Sequence, residues 1–332
     1  MIRRFFLLLL AGTLLMGCRV HEFPGDGGSD GAVVDLTLNL QFDKGVPEFQ
    51  TIQLDSKAGE SYKARYVVGL YRYASDSPES KPDYVFPFLE DSMEDRSFTV
   101  SVAPANYRVL VWCDYVNGAE AFYTSPAFDE NPAEEIFAEV SLVQGAYKGN
   151  SPWREAFYGA QDVRLAAYLS NHSAHSMDVP MVRSQARFNF VATDKEEFIS
   201  YWTSKGTKSY DLSDLGVKIS YPQFLPCTFN LLQERPVDAC SGMEFVSRAT
   251  VLDDGTIDLG YDWVFANEDQ TSVVVTLSFY DAAGQFISSL QGITVPLCRG
   301  KNTTIKGALL TNGVDSGISI DPNYDGVIVV PL

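Results

Sequence analysis

His172, His175 and Asp178 stand three residues apart in the run His172-Ser173-Ala174-His175-Ser176-Met177-Asp178. Imidazole and carboxylate are ligand types of zinc sites. On an extended segment this spacing does not turn three side chains toward one centre, and no fourth ligand follows. Solvated loop histidines are therefore expected, with no metal. A Ser-His-acid triad would draw on the same histidines, and no Gly-x-Ser-x-Gly elbow supplies its nucleophile. There is no Gly-x-x-x-x-Gly-Lys phosphate loop, and Gly25, Gly27, Gly28 and Gly31 precede a strand pattern with the wrong spacing for a dinucleotide. Asp321-Pro322-Asn323-Tyr324-Asp325-Gly326 opens like a calcium loop, but its twelfth position is Leu332, where a bidentate Glu is required. It reads as a turn. Acid pairs such as Asp253-Asp254 and Glu134-Glu135 would point to opposite faces of a strand, unlike the facing carboxylates of a glycosidase. The expectation is a protein that is not an enzyme, with no catalytic residue and no cofactor.

The five cysteines divide by context. Cys113 lies in an alternating pattern and reads as a small buried hydrophobe. Cys227 and Cys240 are separated by loop-like sequence, and in an exported protein they are candidates for a disulfide worth about 3 kcal/mol. Cys298 is an alternative partner for either. Cys18 follows a basic start (Arg3, Arg4), an apolar run over 5–15 and a small residue, Gly17. That order is a secretory signal. The run falls short of the roughly 20 apolar residues that span a bilayer. Leu15-Met16-Gly17-Cys18 resembles the lipobox of bacterial lipoproteins, which implies lipidation at Cys18 and cleavage before it. Residues 1–17 are then the signal peptide and 18–32 a lipidated, flexible, Gly- and Asp-rich tether.

The formal net charge of −18 disfavours phosphate backbones, so no nucleic acid partner is expected. Membrane attachment would come through the lipid. Beyond the tether the sequence is dominated by short strands. Val34, Leu36, Leu38, Leu40 and Phe42 alternate with polar residues, the mark of a half-buried strand. Further strands are expected at 64–73, 98–102, 107–115, 137–142, 162–169 and 179–182. A second set lies at 187–191, 217–221, 260–266, 271–280, 285–290, 301–310 and 327–330. One helix is expected after Asp194, which stands three residues before Glu197 as in a capping box, with Phe198, Tyr201 and Trp202 on its inner face. The fold class is all-β, with sandwich domains at 33–183 and 184–332. Aromatic residues make up 13% of the chain and fall mostly in strand patterns, so they are expected in cores. An exposed row of them would instead make the protein a glycan binder.

Four stretches resemble one family. They are His21-Glu22-Phe23-Pro24 after the lipobox; Tyr147-Lys148-Gly149-Asn150 with Trp153-Arg154-Glu155-Ala156-Phe157-Tyr158-Gly159; Arg187-Phe188-Asn189-Phe190-Val191-Ala192-Thr193-Asp194; and Thr228-Phe229-Asn230 with Arg235-Pro236. Together they are similar to the fimbrillin-like lipoproteins of Bacteroidales, including fimbrial anchor and accessory subunits. The resemblance implies two tandem transthyretin-like β-sandwiches and a lipid anchor in the outer membrane. It also implies a part in fimbrial assembly and adhesion, with fimbrial subunits as partners by strand exchange. In that setting the strand at 34–42 is a candidate structural plug, and the strand at 327–331 a candidate for exchange.

Overall fold

The computed structural model describes residues 31–45, 62–118, 120–128, 138–143, 145, 147–168, 170–204, 212–311 and 327–329. The signal segment, Cys18, Glu134-Glu135 and the 321–326 turn lie outside the described residues. In chain order the strands are β1 (Val34–Phe42), β2 (Lys63–Arg72), β3 (Tyr84–Glu90), β4 (Arg96–Val102), β5 (Asn106–Asn117), β6 (Glu120–Ala121), β7 (Tyr123–Thr124), β8 (Glu139–Leu142), β9 (Phe157–Arg164) and β10 (Ser173–Arg183). Then come β11 (Gln185–Ala192), helix α1 (Lys195–Ser204), β12 (Gly216–Asn230), β13 (Arg235–Arg248), β14 (Thr250–Val251), β15 (Ile257–Phe265), β16 (Thr271–Tyr280), β17 (Phe286–Leu297), β18 (Asn302–Gly307) and β19 (Val327–Val329). The protein is all-β, with one α-helix among the described residues.

The first core lies between two sheets. One pairs β3, β2, β5 and β9 in antiparallel order, with β6 attached to β5. The other pairs β4 antiparallel to β1, and β1 parallel to β10. The end of β10 links them, since Val182 and Arg183 pair with Tyr158 and Phe157 of β9. β9 crosses β10 closely at this corner. A Cβ on Gly159 would stand 2.7 Å from Val179 Cγ1 and 2.9 Å from the Pro180 carbonyl, so glycine permits the approach. Val34, Leu36, Leu38 and Leu40 pack here with Tyr66, Val68, Leu70, Tyr107, Val109 and Val111.

In the middle of β2 and β5 the sheet of β2, β5 and β9 is covered on both faces. Val67, Tyr71, Leu110, Trp112 and Tyr158 project from its other side into a second core with Phe188, Phe190, Phe229 and Phe265. Residues 66–71 and 109–114 are accordingly buried without a break. The second core is closed by the sheet β14-β15-β11-β18-β19 and by the sheet β17-β16-β12-β8-β7, with β13 also paired to β12. β7 and β8 precede residue 183 in the chain, yet they pair within the second of these sheets.

Three local expectations are corrected. His175, expected on a loop, lies in β10, opposite Leu36 of β1. The stretch between Cys227 and Cys240, also expected as loop, is the end of a long hairpin made by β12 and β13. Its Pro222, Pro226 and Pro236 mask the strand pattern, and register shifts at Tyr221/Phe224 and Pro226/Thr228 accommodate the irregularity. Tyr201 is 53% exposed, while Phe198 is buried and Ile199 and Trp202 pack against the core. At 3.6 residues per turn, a face made by Phe198, Ile199 and Trp202 leaves Tyr201 at its rim. The Asp194 carbonyl accepts from Phe198 N at 3.0 Å. Its carboxylate accepts from Thr311 N at 2.7 Å, fixing the helix start to the segment after β18.

Candidate functional site

β1 is held along both edges. It pairs with β10 from Val34↔Ser173 to Phe42↔Met181, and with β4 from Val34↔Val102 to Leu40↔Arg96. Side chains alternate across a strand, so one face carries Val34, Leu36, Leu38 and Leu40, at 0%, 0%, 0% and 1% exposure. Each contributes about 1.5–3 kcal/mol by its burial. The opposite face carries a polar ladder. Thr37 Oγ1 lies 2.9 Å from Thr99 Oγ1, Asn39 Nδ2 donates to Ser176 Oγ and Asp178 Oδ1 at 3.1 Å each, and Ser101 Oγ donates to Asp35 Oδ1 at 2.8 Å. The Ser101 hydroxyl, and after it His172, hold the Asp35 carboxyl below its ordinary range. Both ends of the strand are clamped. Val33 N donates to Asn171 Oδ1 at 2.9 Å, and Phe42 N to Asp95 Oδ1 at 2.8 Å.

β18 is different. It pairs parallel with β11 over six positions, from Arg187↔Asn302 to Ala192↔Gly307. Among the described residues its other edge meets β19 at Thr304↔Val327, Ile305↔Ile328 and Lys306↔Val329. Ile305 is fully buried, and Thr304 Oγ1 donates to Asn189 Oδ1 at 2.8 Å, so the inner side of β18 is fixed.

The histidine run assembles no metal centre. His172 Nδ1 stands 3.1 Å from Asp35 Oδ2, His175 Nδ1 lies 2.7 Å from Tyr168 OH, and Asp178 meets Asn39. No cluster of three His, Cys, Asp or Glu able to hold a metal occurs among the described residues. Cys113 is buried as expected. Cys227 and Cys240 are brought together on facing strands with both thiols free, while the Cys298 thiol donates to the Glu268 carbonyl at 3.0 Å.

A cleft of about 420 Å³ opens beside the second core, lined by Tyr62, Arg65, Phe122, Tyr147, Lys148 and Arg154 among others. Its floor is a polar knot. Arg154 is 2% exposed and its Nε lies 3.3 Å from Oδ1 of the fully buried Asp262. Tyr147 OH, Tyr221 OH and Trp263 N donate to the same carboxylate at 2.8, 2.6 and 2.8 Å. Burial pushes the Asp262 carboxyl upward, opposed by Arg154 and the two hydroxyls. Each cation on the cleft wall has an acid: Arg65 binds Asp114 at 2.6 and 2.8 Å, and Lys148 binds Glu120 at 3.1 Å. The aromatic rings are stacked on one another, Tyr62 on Trp153 at 5.0 Å and on Phe122 at 6.0 Å. In the cleft and its floor, Asp114, Glu120 and Asp262 are each matched by a cation. The arrangement braces the junction of β7, β12 and β15. Sequence reading missed this knot, although Tyr147 and Arg154 lie in one of its four family-like stretches. Other residues of those stretches are structural too. A Cβ on Gly149 would strike the Phe245 ring at 2.4 Å, and Asn150 exchanges bonds with the backbone of Tyr261.

Solved structures similar in fold include the fimbrial anchor protein Mfa2 from Porphyromonas gingivalis, at 11% identity and a TM-score of 0.46, covering 78% of this chain and 82% of that one. A candidate adhesin from Bacteroides ovatus matches at 13% identity and a TM-score of 0.46, covering 78% of each chain. A candidate cell adhesion protein from Bacteroides eggerthii matches at 11% identity and a TM-score of 0.42, covering 92% of this chain and 95% of that one. At these identities the likeness is one of fold. No curated protein matches the sequence. The profile of the DUF6562 family, a family of unknown function, matches residues 28–331.

Proposed function

The chain belongs to the DUF6562 family, and from that starting point we propose that it is a non-catalytic, lipid-anchored protein of the outer membrane that holds a fimbrial subunit at the cell surface. One observation carries this reading, the contrast between β1, paired along both edges, and β19, which stands at the end of the described order of its sheet. β1 fills its own slot completely, so the first sandwich needs no strand from outside. β19, last in the described order of its sheet, pairs with β18 from Thr304↔Val327 to Lys306↔Val329, and a partner's strand taking its place would make the same main-chain bonds. The partner pairs there, and the tether from Cys18 carries the load to the membrane. The chain works as two sandwich units that share the sheet of β2, β5 and β9.

Affinity purification of the full chain from the envelope of its native cells tests the reading. Fimbrial subunits should co-purify, and hydrogen exchange of the complex should show new protection in β18 and none in β1. Absence of any fimbrial subunit, or protection confined to β1, overturns it. Substitution Cys18→Ala should abolish lipid labelling and release the protein from the membrane fraction. Retention of the label would remove the anchor from the proposal. A glycan array should show no binding.

A further inference from the structure

The β12–β13 hairpin brings two thiols together at the neck of its tip. Leu225 pairs with Cys240, Pro226 with Ala239 and Thr228 with Asp238, so Cys227 is the unpaired extra residue of a bulge. Leu225 is buried in the core, Cys240 stands opposite it, and Cys227 lies two residues further along the same face. Both cysteines pack against the same core and both remain partly exposed. The Cys240 thiol donates to the Leu225 carbonyl at 3.6 Å, alongside Cys227. Burial first, and then the neighbouring Cys227 thiol, push Cys240 up to about 12.

The tip enclosed by the two cysteines joins the two halves of the molecule. Leu231 is fully buried, and Gln233 N donates to Asn230 Oδ1 at 2.9 Å. Glu234 adopts φ of 55°, a left-handed conformation that its surroundings must hold. Its carboxylate accepts from Tyr158 OH at 3.1 Å and from Arg108 at 3.2 Å, both on the first sheet, and its carbonyl accepts from Arg299. We infer that Cys227 and Cys240 close into a disulfide in the exported protein, locking the tip that clamps the first sheet to the second core. The step is an exchange with a disulfide of a small thiol or of an oxidoreductase. One cysteine thiolate attacks that disulfide and releases one thiol of the reagent. The second cysteine thiolate then displaces the other, forming the Cys227–Cys240 bond. Two protons leave the cysteines, the reagent is reduced to two thiols, and electrons balance. The high position of Cys240 makes the reaction faster as pH rises, because the thiolate is the reacting form.

The inference rests on the export reading only for its oxidant. The test is peptide mapping of the full chain, alkylated under denaturing conditions without reductant. One sample comes from the native envelope, and another is the purified reduced protein treated with oxidised glutathione. A Cys227–Cys240 linked peptide, two hydrogens lighter than the separate pair, is expected in both, with Cys113 and Cys298 alkylated. Reduction should lower the melting temperature by roughly 5 °C, and reductant should have no effect on the Cys227→Ser/Cys240→Ser variant. Closure with oxidised glutathione but not in the envelope upholds the pairing and counts against export. Both thiols alkylated in both samples, or a linkage through Cys298, overturns the inference.

Discussion

Two polar assemblies in this protein use the same side-chain chemistry at opposite depths. Asp262 in the second core gathers Arg154, two tyrosine hydroxyls and a backbone amide, with no exposure to water. Asp35, Thr37 and Asn39 on the outer face of β1 form a ladder with Ser101, Thr99 and Ser97 at the surface. The distances are alike, yet the consequences of breaking them are not. In the interior every group removed strands a partner that water cannot reach, whereas on the ladder water replaces what is lost. A hydrogen-bond census alone would not separate the two regions. Burial does.

Four measurements break or sharpen that contrast. Asp262→Ala leaves the buried Arg154 guanidinium without its counter-charge and the Tyr147 and Tyr221 hydroxyls without their acceptor, and chemical denaturation should record a loss of about 3–5 kcal/mol. A loss below about 1 kcal/mol would mean that water enters the knot. Leu38→Ala, on the inner face of β1, should cost about 2–5 kcal/mol through the cavity it leaves. Thr37→Ala, one residue away on the outer face, should cost only about 0.2–1 kcal/mol in the same assay. Similar values for the two would show that β1 is not inserted as described. The smallest effect is the pH dependence of Asp35. Its folded-state pKa is depressed, so the stability it confers is present above the ordinary carboxylate range and fades as pH falls through the lower folded value. An NMR titration should show that depressed midpoint, moving back toward the ordinary value in Ser101→Ala.

The same contrast explains what could be read from the sequence. β1 was legible because one face meets solvent, so apolar and polar residues alternate in the plainest form. β5 was legible as a strand, but its burial on both faces was not, since sheet-on-sheet packing leaves only a run of apolar residues. β3 is not among the strands that the sequence predicts, because Pro87 interrupts it. The structure places it at the edge of its sheet, where proline is tolerated. The sequence around His175 reads as a loop because the first half of its strand carries mostly polar residues. The knot was illegible, since Arg154 and Asp262 lie more than a hundred residues apart and nothing local marks them as a pair. Of the family-like stretches, the one with Tyr147 and Arg154 contributes to the knot, and its residue types alone do not reveal why. Gly149 is small because Phe245 occupies the adjacent space.

The parallel pairing of β1 with β10 has a mechanical meaning. The chain enters at the beginning of β1 and continues into the second half from the end of β10, and in a parallel pair these points lie at opposite ends. Tension between them would slide one strand lengthwise along the other. All rungs of the ladder would then resist at once, where peeling would break them singly. The topology is that of a shear clamp, and pulling single molecules from residue 33 should meet a much higher rupture force than pulling across the β2–β3 hairpin.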